Sequence, residues 1–169
     1  MNLHRLIFLL FSLPFTLTTL AANTEKVSAK AFLYAGRKMV LQNCDIASAK
    51  CGNEQLKIRK QDPSPNDENT KYTVLTTNGL TVEAIIRHYG KKKDFDIVKA
   101  IATNAKWDTP YGLNIGSPKN KVLSALGKPN ETSGESHCSS YVFFNDTVEF
   151  CFSKDLVTKI TWDYGFVCY

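Results

Sequence analysis

The sequence predicts an α+β fold in which short helices pack on an antiparallel sheet. Two observations favour this fold class. Residues 118–126 carry the end signals and the apolar spacing of a helix, and the segments that follow alternate apolar and polar residues as strands do. The 169 residues are 43% hydrophobic and 22% charged, which is the balance of a globular protein and excludes a disordered chain. We expect one compact unit or two small ones.

The N-terminal segment has the layout of a secretory signal peptide. Residues 1–22 place Arg5 before a short apolar run that ends at Ala21 and Ala22. The run falls short of the roughly 20 residues that a spanning helix needs, so we expect cleavage, export to the periplasm or beyond, and no transmembrane segment in the mature chain. Loss of Arg5 takes the formal net charge from +5 to +4, which is too weak to indicate a nucleic-acid partner.

The first half of the remaining chain, residues 31–104, is predicted to hold short strands and one helix. A polar lead-in over residues 23–30 precedes it. A polar stretch with two prolines predicts a solvated loop at 61–70. Alternating apolar residues predict strands at 38–41, 55–59, 72–76 and 95–102.

The helix of this half is predicted from Thr81 to Tyr89. Thr81 can cap its start, Val82 and Ile86 fall at helical spacing, and Gly90 can end it.

Arg87, Lys91, Lys92 and Lys93 form the one basic cluster. One interpretation is a patch for an acidic partner or for lipid headgroups. The other, which we favour, is the end of the helix, where positive charges interact favourably with the helix dipole.

The second half, residues 105–169, is predicted to be a helix followed by a three-stranded meander. Ser117 and Pro118 suit the cap and first turn of a helix over 118–126, and Gly127 ends it. The strands are predicted at 139–144, 147–152 and 156–162, with turns at Asn145-Asp146 and Lys154-Asp155.

Alternation along these strands assigns the two faces of the meander. We expect the helix over 118–126 to cover the apolar face. That face is predicted to hold Tyr141, Phe143, Val148, Phe150, Phe152, Leu156, Ile160 and Trp162.

The spacing of four glycines raises the alternative of a degenerate repeat in the first half. Gly79 and Gly90 bracket the first predicted helix, and Gly116 and Gly127 bracket the second. Both gaps are eleven residues, although any two short helices can begin and end at glycine.

Five cysteines leave one over if two disulfides form in an oxidising compartment. Cys44 and Cys51 close a short loop and are predicted to pair. Cys138 fits Cys151 across the hairpin. Cys168 is the rival partner of Cys138, because the C-terminal tail could fold back beside that strand. No metal or cofactor is expected.

Part of the second half resembles a known family. The residues that carry the resemblance are Leu113-Asn114-Ile115-Gly116-Ser117, Val122, Leu126-Gly127-Lys128-Pro129, Tyr141-Val142-Phe143, Val148-Glu149-Phe150 and Ile160. Residues of about 112–162 thus resemble the BamE/SmpA-like domain, whose fold is shared by the β-lactamase-inhibitor protein. The resemblance implies a small module of helices packed on an antiparallel sheet that acts by binding other proteins of the bacterial envelope or secreted ones.

The sequence favours a chain without catalytic activity. The common hydrolase, metalloprotease and nucleotide-binding motifs are missing from it. After the signal segment, the histidines are His88 and His137. His137 adjoins Cys138, but neighbours in a strand point to opposite faces, so this pair is poorly placed as a catalytic dyad. His88 lies beside Arg87 and three lysines, which disfavour a metal.

Aromatic residues outside the predicted core are the candidate partner-binding residues, since aromatic side chains anchor protein interfaces. They are Trp107, Tyr111, Phe144, Tyr164 and Phe166, and several could instead cover the open side of the sheet. The sequence therefore predicts a periplasmic or secreted protein-binding module, an inhibitor or immunity-type antagonist of an envelope-active protein. An envelope scaffold resembling BamE is the alternative, and a small hydrolase is a third hypothesis.

Overall fold

An eight-stranded antiparallel sheet forms most of the fold, and a three-stranded sheet stands beside it. The structure, a computed structural model, describes residues 26–64, 67–133 and 137–165. In chain order its elements are helix α1 (Ala29–Asn43), strands β1 (Cys44–Asp45), β2 (Lys50–Cys51), β3 (Glu54–Gln55), β4 (Lys57–Pro63), β5 (Thr70–Thr77), β6 (Leu80–Tyr89) and β7 (Lys92–Ala102), a 3-10 turn (Pro110–Gly112), helix α2 (Lys119–Leu126), and strands β8 (Glu131–Ser133), β9 (Cys138–Phe143), β10 (Asp146–Ser153) and β11 (Leu156–Asp163). Strands hold 50% of the described residues, so the predicted α+β class is wrong and the protein is mostly β.

The large sheet consists of two four-stranded meanders that meet edge to edge. Its strand order is β4-β5-β6-β7-β11-β10-β9-β8. The meanders join where β7 pairs with β11, with Ala100 opposite Trp162 and Ala102 opposite Ile160. Each meander follows a helix in the chain, α1 before β4–β7 and α2 before β8–β11.

The segment over residues 81–89, predicted as a helix, is strand β6. It pairs with β5 on one side and with β7 on the other. Val82, Ala84 and Ile86 are buried in alternation with half-exposed residues, which is the period of a strand. The helical spacing of its apolar residues was ambiguous because Val82 and Ile86 also lie an even number of residues apart.

The glycine spacing does not mark equivalent elements. Gly79 and Gly90 lie in the two hairpin turns that flank β6, with φ of 74° and 60°, a region that favours glycine. Gly116 and Gly127 instead bracket helix α2. The equal gaps therefore compare a strand with a helix.

Helix α1 was missed by the sequence analysis, which predicted a loose lead-in and a short strand there. Ser28 caps it, because its Oγ accepts a hydrogen bond from the Ala31 amide at 3.1 Å. Phe32 lies 5.3 Å from the Phe150 ring and 5.8 Å from the Trp162 ring, so α1 covers the aromatic face of the second meander. Gly36 permits this close approach, since a Cβ there would overlap the Trp162 indole.

The helix and three strands predicted in the second half are present, but a fourth strand, β8, precedes the three, and the first turn lies at Phe144-Asn145. Helix α1, rather than the predicted helix over 118–126, packs on Phe150 and Trp162 of the apolar face. Two further details differ. Pro118 is the N-cap of α2 rather than its first helical residue. A bulge in the β10–β11 pairing leaves Thr158 without an opposite residue, and this shifts the alternation so that Val157 is buried and Leu156 is 47% exposed. Leu156 was predicted on the apolar face.

Two disulfides are present, each between directly opposed residues of an antiparallel pair. Cys44 is bonded to Cys51 across β1 and β2, and Cys138 to Cys151 across β9 and β10. These are the pairs favoured by the sequence. Cys168 lies outside the described residues.

Polar pairs cross the face of the large sheet that α1 does not cover. Each charged residue there follows or precedes a buried one along its strand, so it points to the opposite side. The pairs are Tyr72 with Glu83, Lys99 with Asp163 at 2.8 Å, and Lys159 with Glu149 at 3.1 Å.

Candidate functional site

Trp107 and Tyr111, two of the predicted partner-binding residues, lie along the same groove beside α1. Trp107 is only 8% exposed, and its Nε1 donates a hydrogen bond to the Asn78 carbonyl oxygen at 2.9 Å. That bond ties the segment after β7 to the β5–β6 turn, so the indole forms part of the groove floor. Tyr111 is 53% exposed and stands at the rim.

The groove consists of two adjoining hollows that share Met39, Asn43 and Asp108. The larger, about 650 Å³, lies between α1 and the 3-10 turn. The smaller, about 350 Å³, lies between the end of α1 and the loop that follows Cys51. Met39 is buried and contributes apolar floor, as does Trp107.

Tyr111 has a backbone conformation that non-glycine residues seldom adopt. Its φ of 57° and ψ of 20° lie in the left-handed region, and Gly112 follows with φ of 64°. The ring centroid lies 6.3 Å from that of Phe32 on α1. The exposed aromatic side chain is therefore held at the rim by a strained turn.

Hydrogen bonds on both sides of the turn fix this conformation. The Thr109 hydroxyl donates to the Leu113 carbonyl oxygen at 2.7 Å, and the Asn114 Oδ1 accepts from the Thr109 amide at 2.9 Å. Lys121 donates from Nζ to the Gly112 carbonyl oxygen at 2.7 Å. Leu113 is fully buried and anchors the far end of the turn.

Charged side chains of both signs border the groove. Lys38 and Asp108 are exposed on opposite walls of the larger hollow. In the smaller hollow Glu54 accepts hydrogen bonds from Lys106 and from the Thr77 hydroxyl. Both bonds lower the pKa of Glu54, and the bond from Lys106 has the larger effect. Glu54 and Lys106 are 52 residues apart and meet only in the fold, so no local pattern indicates this pair.

The side chains that line the two hollows, among the described residues, are mainly polar and charged. They include no histidine, and the sulfur of Cys51 belongs to a disulfide. A different group, Cys138, Glu149 and Cys151, has its ligand atoms within 4.8 Å of one another. Its two sulfurs are bonded to each other, so they are not thiolate ligands for a metal.

Phe144 and Tyr164 lie elsewhere, at the end of the sheet near the β9–β10 turn. Phe144 is 100% exposed in that turn, with φ of 55°. Tyr164 is mostly buried, with the Arg37 guanidinium 5.7 Å from its ring centroid, and burial raises the pKa of its hydroxyl. Phe166 lies outside the described residues.

The basic cluster sits at the tip of the β6–β7 hairpin, not at a helix end, so the helix-dipole interpretation is wrong. Arg87 is bound to Asp96 at 2.8 Å. Lys93 donates from Nζ to the Ala47 carbonyl oxygen at 3.2 Å, while Lys91 and Lys92 are exposed. The four residues thus do not form one continuous patch of free cations.

Comparisons with models of protein families, with curated proteins and with solved structures found no match. Among the described residues, no helix has both the length and the apolar character needed to cross a membrane. The two disulfides are compatible with a periplasmic or secreted location.

Proposed function

We propose that this chain is a non-enzymatic, exported protein-binding module whose partner inserts a loop into the groove beside α1. It would act as an inhibitor or immunity-type antagonist, by occluding the site on the partner from which that loop comes. The apolar floor at Met39 and Trp107 suits an aliphatic side chain of the partner, and the charged rim suits its flanking polar residues.

The single observation that carries this proposal is the conformation of Tyr111. A non-glycine residue in the left-handed region costs about 1–3 kcal/mol. In this conformation 53% of the residue remains exposed. The Thr109 and Lys121 hydrogen bonds nevertheless maintain the turn, so an aromatic anchor is preorganised at the groove rim.

Two further points support protein binding rather than catalysis. The predicted signal peptide and the disulfides suit a rigid binder outside the cytoplasm. The resemblance of residues 112–162 to the BamE/SmpA-like domain points to the same class of function. It also keeps the alternative of an envelope scaffold, which the identity of the partner would separate from an antagonist.

Photocrosslinking from the groove rim tests the proposal. The photoreactive amino acid p-benzoylphenylalanine replaces Tyr111 in one variant and Phe144 in a matched control, both exposed aromatic residues with positive φ. After irradiation in the native host we expect one prominent crosslinked protein from position 111. A soluble enzyme or toxin supports the antagonist, and an assembly protein supports the scaffold. Crosslinking from position 144 with none from 111 would contradict the groove.

Affinity for the identified partner gives the quantitative test. We expect Tyr111→Ala to weaken binding at least tenfold in calorimetry, as for an interface anchor, without loss of folding stability. Trp107→Ala does not serve this purpose, because its buried indole also holds the β5–β6 turn.

A further inference from the structure

A separate cavity of about 520 Å³ lies at the end of the large sheet where β4, β5 and β6 come together. It meets the groove only at Glu54, which lines both. The described residues that line it are mainly cations, hydroxyls and amides. They include Lys57, Arg59, Thr76 and Thr81.

Two exposed cations from the edge strand point to this cavity. Lys57 lies opposite Thr76 in the β4–β5 pairing. Arg59 follows at a β-bulge, because Ile58 and Lys60 pair with successive residues of β5 and Arg59 has no opposite residue. The Arg59 Nε donates a hydrogen bond to the Thr76 Oγ1 at 3.2 Å, so both cations stand over the same threonine.

The charge of this pair is not neutralised within the described residues. Glu54 is the one acidic residue of the cavity lining, and its carboxylate is already bound by Lys106 and Thr77. Neither Lys57 nor Arg59 forms an ion pair with any residue that the structure describes. By contrast, Lys60, one residue further along the strand, forms an ion pair with Asp62 at 2.6 Å.

From this arrangement we infer that the cavity binds an oxyanion group, a carboxylate, phosphate or sulfate. The guanidinium keeps its two terminal nitrogens for a bidentate contact while Thr76 orients it through Nε. Lys57 adds a second charge, and Thr81 adds a hydroxyl. Edge protection accounts for lysines and a bulge on β4, but it does not require both cations to converge on one cavity.

Titrations of the full chain followed by NMR test this inference. The probes are inorganic phosphate, sulfate and acetate, each at constant ionic strength against sodium chloride so that general screening is the same. We expect saturable shifts of the Thr76, Thr77, Asn78 and Thr81 amides with at least one probe. The tightest of the three identifies the group as phosphate, sulfate or carboxylate.

Charge-removing variants locate the site. Lys57→Gln with Arg59→Gln should raise the dissociation constant at least tenfold, and the matched control Lys60→Gln should leave it within twofold. All three side chains are exposed, so folding should persist in each variant. No saturable shift, shifts that survive the double substitution, or an equal loss in Lys60→Gln would overturn the inference. No partner protein takes part in these measurements, so their outcome is independent of the groove.

Discussion

The two meanders of the large sheet bury different kinds of side chain. The second meander, β8–β11, buries four large aromatic residues, Tyr141, Phe150, Phe152 and Trp162, besides Val148, Val157 and Ile160. Helix α1 contacts Phe150 and Trp162 through Phe32. The buried hydrophobic residues of the first meander, β4–β7, are all aliphatic. They are Leu75, Leu80, Val82, Ala84, Ile86, Ile97, Ala100 and Ala102. A few large contacts therefore stabilise one half of the sheet, and many small ones stabilise the other.

Different elements stand beside the two meanders, a helix at the second and the three-stranded sheet at the first. Phe32 of α1 lies in ring contact with Phe150 and Trp162 of the second meander. Beside the first meander stands the disulfide-bonded three-stranded sheet, which contacts β7 through Lys93 and Ala47 and β5 through Thr77 and Glu54. Both the proposed groove and the oxyanion cavity border this second cover, because its loops do not fill the edge of the sheet.

The largest expected effect is the loss of Trp162. This side chain is fully buried, lies opposite Ala100 where the meanders join, and packs against Gly36. We expect Trp162→Ala to lower the free energy of unfolding by about 3–5 kcal/mol in urea titrations. Val82→Ala, its counterpart in the first meander, should cost about 2 kcal/mol.

Trp162→Phe keeps this comparison measurable if Trp162→Ala does not fold. It should cost less than Trp162→Ala and still leave a measurable defect. An unchanged free energy of unfolding in Trp162→Phe would argue against a second meander that depends on few large contacts.

A smaller effect tests the strand assignment of β6. Ala84 is fully buried in the sheet, whereas a helix from Thr81 would place it opposite the apolar stripe. We therefore expect Ala84→Leu to destabilise the protein by about 1–3 kcal/mol through overpacking, measured by urea unfolding. Ala105→Leu, at an exposed alanine, is the control and should change stability by less than about 0.5 kcal/mol. A neutral Ala84→Leu would favour the helix.

The smallest effect concerns Tyr141 of the second meander. Its hydroxyl donates to the Gly127 carbonyl oxygen at 3.0 Å, and Tyr141→Phe should cost about 0.5–1.5 kcal/mol near neutral pH. Burial raises the pKa of Tyr141 to about 12. The folded pKa exceeds the unfolded value of about 10, so folding favours the neutral phenol. The stability that Tyr141 contributes is therefore full below pH 10 and is lost as the pH rises towards 12.

Unfolding free energies between pH 8 and 11 measure this effect. Stability of the unmodified protein should fall as the pH rises from 10 to 11, and Tyr141→Phe should reduce that slope. The slope should not vanish, because burial also raises the pKa values of Tyr72 and Tyr164.

The sequence predicted the second meander better than the first for a physical reason. Tyr141, Val148 and Phe150 alternate with polar residues, and large side chains make that period clear. The observed turn is at Phe144-Asn145 rather than at Asn145-Asp146. The β9–β10 register therefore differs from the predicted one by two residues. Because side chains alternate with a period of two, Tyr141 and Val148 still share the predicted face.

The first meander was ambiguous because Val82, Ala84 and Ile86 fit a strand while Val82, Ile85 and Ile86 fit a helix. The hydrogen bonds to β5 and β7 decide between them, and those partners come from other parts of the chain. Helix α1 escaped detection although Phe32, Gly36 and Val40 share one of its faces, because Gly36 weakens the helical signal and is explained only by Trp162.

In the candidate sites too, the sequence indicated some residues, and only the fold showed how they are arranged. Trp107 and Tyr111 were candidates because of their residue type. Only the structure shows that Trp107 is buried in the groove floor, whereas Tyr111 is exposed at the rim in a left-handed backbone conformation. The Arg59 site depends on a bulge, and the Glu54–Lys106 pair spans 52 residues, so neither has a local pattern.

By itself the sequence determined the elements that local chemistry specifies: the Cys44–Cys51 pair, helix α2 between Pro118 and Gly127, and the aromatic strands of the second meander. Only the tertiary structure decided the eight-stranded sheet, the place of α1 and the convergence of side chains on the groove and cavity. These depend on contacts between residues far apart in the chain, whose free energy local periodicity does not report.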